Sequence, residues 1–407
     1  MHRLLAKYPA LSSHDYVLQW IGQFISNAGT QMQIVAINWQ LYEMTGSPYV
    51  LALVGASRII PVILFSLIGG AIVDAHNRKK ILYMTQLLQA GIAFAQGILT
   101  VTGLANPVNL LVLNGLLIAV YSLDGPARSA FLPSLVAREH YGNAVSLNII
   151  GYNVSTVAGP AIAGFIIAYA GIGAVYLLDA GSYLILLFAL LGMKAHGKIE
   201  GVKKPASIAA ILEGLRFVKS KTLIWSTMLL DFFSTLFAEA TILIPVFAQD
   251  ILHIGPQYVG FLYAAPFLGA TVTGVVAASV GKRLHTGKIL LMSIVLYAIG
   301  TITFGISKNY ILSLIALTVV GAGDGMSSII RNIIRQLSTP DHIRGRMTAI
   351  NQIFYAGGPR LGEVEAGLLA GLVGAPLTVV IGGIGTLAVV LVMGSTLRIL
   401  REYKAAK

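Results

Sequence analysis

The sequence contains no cysteine and few charged residues. Of its 407 residues, 11% are charged and 56% are hydrophobic, whereas a soluble domain carries about 25% charged residues. The lack of cysteine excludes disulfide bonds and thiolate metal sites. Apolar runs long enough to cross a bilayer core of roughly 30 Å recur along the whole chain. The composition therefore predicts an all-α membrane protein that crosses the bilayer many times.

Signatures of several enzyme classes are also missing. The chain has neither a Gly-x-x-x-x-Gly-Lys-Ser/Thr phosphate loop nor a His-Glu-x-x-His metalloprotease helix. Its eight histidines lie near predicted helix ends or in loops, which argues against a buried histidine relay. We expect no enzyme activity, no cofactor and no metal site. The first 16 residues lack the continuous apolar core of a cleavable signal peptide.

Twelve candidate spans and the placement of basic residues predict the topology. The spans are 16–42, 49–73, 81–104, 107–127, 143–170, 173–193, 223–249, 257–280, 288–306, 309–335, 346–371 and 375–396. With the N-terminus inside, the loop cations fall on one side, and only Lys308 lies in an outer loop. This bias predicts a multi-pass protein of the cell (inner) membrane with both termini in the cytoplasm. The net charge of +12 reflects topology and contacts with anionic membrane lipids, not binding of nucleic acid.

A polar stretch divides the predicted spans into two sets of six. We expect an N-terminal six-helix bundle at 1–193, a cytoplasmic linker at 194–221, and a C-terminal six-helix bundle with a cytoplasmic tail at 222–407. From Ser207 onward the linker has the pattern of an amphipathic helix lying along the inner membrane surface.

The two halves resemble each other in sequence. LNIIGYNVSTVAGPAIAG at 147–164 aligns with INQIFYAGGPRLGEVEAG at 350–367 at an offset of 203, and LDGPAR at 123–128 aligns with GDGMSS at 323–328 at an offset of 200. Parallel six-helix repeats occur in secondary transporters, with the substrate site between them near the bilayer midplane.

Three charges interrupt the second copy of the longer repeat. Arg360, Glu363 and Glu365 align with uncharged residues of the first half. Residues shared by both halves serve the scaffold, whereas charges present in one half alone indicate a functional asymmetry.

The loop between spans two and three carries a recognisable motif. GGAIVDAHNRKK, at 69–80, resembles the loop signature of the major facilitator superfamily, with a glycine, an aspartate four residues later and paired basic residues. The matching residues are Gly70, Asp74, Lys79 and Lys80, with Arg78 as a further cation. Asn77 replaces a family glycine and tolerates the same left-handed turn, whereas Ala75 replaces a basic residue.

Three further segments, at 124–136, 158–164 and 345–367, resemble the branch of enterobactin exporters and macrolide-efflux-like proteins. The likeness extends over most of the chain. It implies two pseudo-symmetric bundles that rock around a central cavity, and export of an amphipathic siderophore-like or drug-like molecule in exchange for protons. The pair Gly159–Pro160 resembles part of an antiporter signature in span five. We expect a monomer whose partners are a small-molecule substrate, protons and membrane lipids.

Polar side chains within the spans are candidates for lining the cavity. Gln23, Asn27, Gln31 and Asn38 fall within an arc of about 80° on span one. Hydrogen bonding between helices is the alternative explanation for this stripe. The other cavity candidates are Arg58, Ser234, Thr235 and Arg360.

Carboxylates within the spans are candidates for proton coupling, namely Asp231, Glu239, Glu363 and Glu365. A charge in the membrane costs about 2.5–3.5 kcal/mol on insertion scales, so each is expected to be paired, protonated or hydrated. We favour Glu363, because Arg360 lies three residues earlier and can pair with it. A purely structural Arg360–Glu363 pair, and a solvated Asp231 at a helix end, are the alternatives.

Asp124 and Asp324 are predicted repeat mates near the inner ends of spans four and ten. With Arg128 and Arg331 as counter-ions they suit a cytoplasmic gate. The motif GAGDG at 321–325 also resembles intramembrane aspartyl proteases, in which two aspartates share a proton. A protease using Asp124 and Asp324, and a lipid- or lysophospholipid-translocating facilitator, are therefore the alternative functions.

Overall fold

The computed structural model describes residues 8–197, 208–280 and 286–403. Within the helices, only the backbone is described for some residues, among them Gly70 and Asp74. The main helices are α1 His14–Thr45, α2 Pro48–Ala75, α3 Arg78–Val101, α4 Pro107–Phe131, α5 Tyr141–Ala170, α6 Ile172–Gly192, α7 Ile208–Ser220, α8 Thr222–Ala238, α9 Pro256–Val280, α10 Gly287–Ile306, α11 Tyr310–Leu337, α12 Arg344–Val373 and α13 Ala375–Thr396. Short helical turns at Pro9–Ser12, Leu132–Ser134, Arg138–His140, Asp341–Ile343 and Arg398–Arg401 flank them.

Nine helical segments of the described residues are long and apolar enough to cross a membrane. The other three predicted spans correspond to α1, α2 and α12, which have 32, 28 and 30 residues. At 1.5 Å per residue, each of these is longer than about 40 Å. The long helices thus coincide with the twelve predicted spans, and the protein is an all-α membrane protein. The number of membrane crossings stays a prediction.

The predicted span at 223–249 lies within the apolar segment Thr222–Ile251, and its helix breaks near the middle. Helix α8 ends at Ala238, and Glu239 has a non-helical backbone with ψ 82°. A 3-10 turn at Thr241–Leu243, one helical turn and a π-helical segment at Phe247–Ile251 follow. Pro245 has no N–H and cannot donate the hydrogen bond to residue 241 that a continuous helix needs.

The internal repeat is visible in the helix boundaries. Helices α5 and α12 both contain 30 residues, and their first residues, Tyr141 and Arg344, are 203 positions apart (344 − 141 = 203). Both helices end at a glycine in the left-handed region, Gly171 with φ 82° and Gly374 with φ 86°. A residue with a Cβ would be strained at this φ. The boundaries therefore share the offset of the longer sequence repeat.

The helices form two compact units that do not follow the chain order strictly. The first unit comprises Met1–Met44, Ile60–Pro205 and Pro256–Gly260, and the second comprises Thr45–Ile59, Ala206–Gly255 and Phe261–Lys407. The start of α2 thus belongs to the second unit, and the first five residues of α9 belong to the first. The boundaries predicted at 193 and 222 stay a prediction.

Each unit has its own apolar core. In the first, Tyr16, Phe131 and Leu190 are completely or almost completely buried in one cluster. In the second, Leu230, Leu290 and Ile330 occupy the corresponding role. Helix α7 occurs where an amphipathic helix was predicted from Ser207, and its Val218 is fully buried against α8 and α12.

Candidate functional site

Glu363 lies between two arginines inside the second unit. Arg360, one turn earlier on α12, forms an ion pair with it. Arg58 reaches it from α2, with Nη1 3.3 Å and 3.4 Å from the two carboxylate oxygens. Arg58 and Glu363 are only 3% and 6% exposed. Gly55 of α2 allows α12 to pass close by, because a Cβ at this position would collide with Glu363. We call Arg58, Arg360 and Glu363 the arginine–glutamate cluster.

Glu239 lies beside this cluster without an arginine of its own. Its carboxylate accepts hydrogen bonds from the Thr241 amide, at 3.3 Å, and from the Thr241 hydroxyl. Within the described part of the chain it forms no ion pair, although Arg360 and Glu363 act on it electrostatically. Gly362 of α12 leaves the space that Glu239 occupies. The break that ends α8 therefore places a half-buried carboxylate next to a pair of cations.

A second ion-paired group surrounds Arg331 of α11. Its Nη2 lies 2.8 Å from Asp231 of α8 and 3.4 Å from Asp324. The guanidinium also donates to the hydroxyls of Ser327 and Ser328, both at 2.8 Å. Asp231 is only 2% exposed. The alternative of a solvated Asp231 at a helix end is therefore wrong.

In the first unit, Asp124 of α4 is completely buried and pairs with Arg128 one turn later. Its Oδ1 accepts hydrogen bonds from Thr85, at 2.8 Å, and Gln86, at 2.9 Å. Arg128 in turn lies 3.5 Å from the Asn27 amide oxygen. The carboxylate is thus held by one cation and two neutral donors of α3.

The four polar residues of the α1 stripe lie in different surroundings. Gln23 donates to Asn27 at 2.7 Å, so both residues belong to the network of Arg128. Gln31 is partly exposed, whereas Asn38 is 2% exposed. Gly159 of α5 permits a close approach to α1, because a Cβ there would collide with the Ala28 carbonyl and with Gln31.

Helix boundaries correct the predicted pairing of Asp124 with Asp324. Helices α4 and α11 begin 203 residues apart (310 − 107 = 203), and Arg128 and Arg331 keep this offset (331 − 128 = 203). At the same offset Asp124 corresponds to Ser327, so Asp324 lies about one turn earlier on its helix. The arginine is repeated, whereas its carboxylate partner is not.

The remaining candidates have simpler surroundings. Ser234 is 1% exposed, and the Thr235 hydroxyl donates to the Asp231 carbonyl at 2.8 Å. Glu365 is partly exposed, and no ion pair of Glu365 is found within the described residues. Pro160 lies inside the continuous helix α5.

The loop motif is described in part. Asn77 caps α3 by accepting a hydrogen bond from the Lys80 amide at 3.2 Å, with φ −61°. The predicted left-handed turn at this residue is therefore wrong. The Lys79 ammonium donates to the Met193 carbonyl at 2.6 Å, and the Arg78 amide to the Gly197 carbonyl at 3.2 Å. The surroundings of Gly70 and of the Asp74 side chain lie outside the described part of the structure.

Sequence reasoning missed one buried carboxylate, Asp179 of α6. It is completely buried, and within the described residues it has no ion pair. The Ser182 hydroxyl lies 3.1 Å from its Oδ1, and Gly29 of α1 leaves the space for both groups. The signal was present, because Asp179 is the one carboxylate of the predicted span 173–193.

Known proteins match the chain over nearly its full length. Residues 6–406 match the family described as transmembrane secretion effector. The chain belongs to this family of the major facilitator superfamily. It is 27% identical over 417 residues to an enterobactin exporter of Citrobacter koseri, with 98% of this chain and 95% of the relative covered. It is also 27% identical over 391 residues to one of Escherichia coli O1:K1 / APEC, with 92% and 88% covered.

Solved structures show the same fold. A nucleoside transporter superimposes with a TM-score of 0.79 at 12% identity, covering 94% of this chain and 100% of the other. A bacterial homologue of the lysosomal transporter Spinster gives 0.76 at 12% identity, with 96% and 98% covered. This member of the superfamily is therefore a membrane transporter and not an enzyme, which removes the aspartyl protease alternative.

Proposed function

We propose that the protein exports an amphipathic, siderophore-like molecule in exchange for protons. The observation that carries this proposal is the arginine–glutamate cluster, in which Arg58 and Glu363 are buried, with Glu239 beside it. The substrate class is supported by the enterobactin exporters that the chain resembles over more than nine-tenths of its length.

Glu239 is the proton carrier in this proposal, in preference to Glu363, because their partners differ. Glu363 is neutralised by two guanidinium groups, which makes protonation unnecessary for its burial. Within the described part of the chain, Glu239 receives hydrogen bonds from Thr241 alone. A carboxylate that is partly withdrawn from water and has no cation of its own is stabilised by taking up a proton.

Exchange follows from competition at the Glu239 carboxylate. The ionised group accepts hydrogen bonds from hydroxyl groups such as those of a catechol, whereas the protonated group has lost part of this capacity. Substrate hydroxyls and the proton therefore exclude each other. An acidic group on the substrate would instead bind Arg58 or Arg360, since guanidinium pairs well with oxyanions.

In our proposal the two bundles rock so that the site with Glu239 opens alternately to the two sides of the membrane. The ion pairs of Arg128 with Asp124 and of Arg331 with Asp231 and Asp324 act as a cytoplasmic gate, together with the loop of Asp74, Lys79 and Lys80. The protein works as a monomer in the inner membrane with both termini in the cytoplasm.

The test is substrate-induced proton movement in proteoliposomes that contain a pH-sensitive dye. A catecholate siderophore, a macrolide and a lysophospholipid are compared for the wild type and for Glu239→Gln, Glu363→Gln and the exposed control Glu213→Gln. We expect proton movement with the catecholate, its loss in Glu239→Gln, and wild-type behaviour of Glu213→Gln. Substrate movement without a proton signal, unchanged in Glu239→Gln, would contradict proton exchange. Activity with the lysophospholipid alone would instead support the lipid facilitator.

A further inference from the structure

The surroundings of Asp179 assign a location to its proton. Asp179 lies on α6 in the first unit and is completely buried. Arg128 of α4, a cation that acts electrostatically on the neighbouring Tyr183, already forms an ion pair with Asp124. An ionised Asp179 would therefore need hydrogen-bond donors to compensate for its loss of water.

Its first hydroxyl neighbour has another use for its single proton. The Ser182 hydroxyl lies 2.7 Å from the backbone carbonyl of Asp179 and 3.1 Å from the carboxylate Oδ1. A serine hydroxyl donates once and accepts twice, whereas a carbonyl can only accept. When Ser182 donates along the shorter contact, its oxygen is left as an acceptor toward the Asp179 carboxyl group.

The second hydroxyl neighbour, Tyr183, also has another acceptor for its single proton. Tyr183 lies near Asp179, and its hydroxyl is 2.9 Å from the Thr30 hydroxyl. Thr30 also lies 3.0 Å from the Ser26 carbonyl, which can only accept. When Thr30 donates to this carbonyl, Tyr183 donates to Thr30, and the Tyr183 oxygen too is left as an acceptor.

We propose that Asp179 is a proton-binding site of the first unit and that its carboxylic acid O–H is the donor to one of these hydroxyl oxygens. The other Asp179 oxygen, Oδ2, is buried without a hydrogen-bond partner among the described residues, as suits a neutral acid better than a carboxylate. Gly29 matters for the same reason, because a Cβ there would displace Asp179 and Ser182.

The other titratable or charged groups in these surroundings are few. Helix α4 contributes Asp124 and Arg128, which pair with each other, and Tyr121, which together with Arg128 acts electrostatically on Tyr183. Helix α1 contributes the neutral Gly29 and Thr30. The buried face of α3 carries uncharged amides, among them Gln89, whose Nε2 and Oε1 have no hydrogen-bond partner within the described residues. The proton of Asp179 is thus separate from that of Glu239.

Infrared spectroscopy of the resting protein in detergent tests this site without substrate. We expect the difference between the wild-type and Asp179→Asn spectra at neutral pH to contain the carbonyl-stretch band of a protonated carboxylic acid, and the difference between the wild-type spectrum and that of the exposed control Asp341→Asn to lack it. Asparagine has the shape of the neutral acid, so Asp179→Asn is expected to unfold within about 2 °C of the wild type. A difference spectrum of Asp179→Asn without this band, or a variant that fails to fold, would overturn the proposal.

A role in transport rests on the proposed function and has its own readout. In proteoliposomes, Asp179→Asn is expected to move fewer protons per substrate than the wild type. An unchanged proton count with the infrared band lost would contradict the role in transport and leave the proton-binding site standing. Failure of Glu239→Gln to alter proton movement would count against the proposed exchange only.

Discussion

Two corresponding helix crossings, α1 with α6 in the first unit and α8 with α13 in the second, place different groups at the point of closest approach. In the first unit, Gly29 of α1 leaves room for Asp179 of α6. Helices α1 and α8 begin 208 residues apart and α6 and α13 begin 203 apart, so the corresponding positions are Phe237 and Gly382. There the glycine lies on the other helix, and a Cβ at Gly382 would collide with the Phe237 carbonyl.

This comparison shows which property the repeat preserves. Both crossings keep one glycine, because close approach of two helices needs a small residue on one side. The group that uses the space differs: it is a carboxyl side chain in the first unit and the backbone carbonyl of Phe237 in the second. Backbone spacing is thus shared by the halves, whereas the placement of titratable groups is not.

The repeated arginines show the same division. Arg128 pairs with Asp124, which keeps two neutral hydrogen-bond donors. Arg331 pairs with Asp231, a residue of another helix, and with Asp324. The first unit therefore relies more on hydrogen bonds around its buried carboxylates, and the second relies more on ion pairs.

The largest expected effect is on the ion pair of the second unit. Arg331→Met leaves Asp231 buried without its cation, and breaking such a pair costs about 3–5 kcal/mol. Thermal unfolding in detergent should show a strong loss of stability, partly restored by adding Asp231→Asn. Arg128→Met is the matched change in the first unit and should cost less, because Asp124 keeps Thr85 and Gln86. Equal losses would contradict the division between the units.

A smaller effect is expected at the glycine of the first unit. Gly29→Ala forces a Cβ against Asp179 and Ser182, and overpacking of this kind costs about 1–3 kcal/mol. Gly181→Ala on α6 is the control, because a Cβ there meets no atom within 4 Å. The control should be neutral or stabilising by about 0.5–1 kcal/mol. If both variants unfold at the wild-type temperature, the crossing does not need its glycine.

The smallest effect is expected where an ion pair of the second unit is exposed. Glu213 of α7 pairs with Arg346 of α12, and their side chains are 53% and 39% exposed. Glu213→Gln should change the unfolding free energy by less than about 1 kcal/mol, because water and salt screen such pairs. Added salt should leave the small difference between variant and wild type unchanged or reduce it. A loss as large as that of Arg331→Met would show that burial does not set the strength of these pairs.

Sequence alone was sufficient for the features that depend on local pattern. Hydropathy located the long helices because each crossing needs about 20 apolar residues. The 203-residue offset and the motif at 69–80 could be recognised because both are patterns of residue types along the chain. The Arg360–Glu363 pair followed from a spacing of three residues on one helix.

Tertiary structure decided which distant residues share a buried environment. Arg58 and Glu363 are 305 positions apart. The hydrophobic periodicity of α2 does not indicate which carboxylate Arg58 contacts. The burial of Asp231 and the hydroxyls around Asp179 likewise depend on packing between helices. A helix pattern specifies the direction of a side chain, whereas its partner, and hence its charge state in a medium that excludes water, is set by the neighbouring helices.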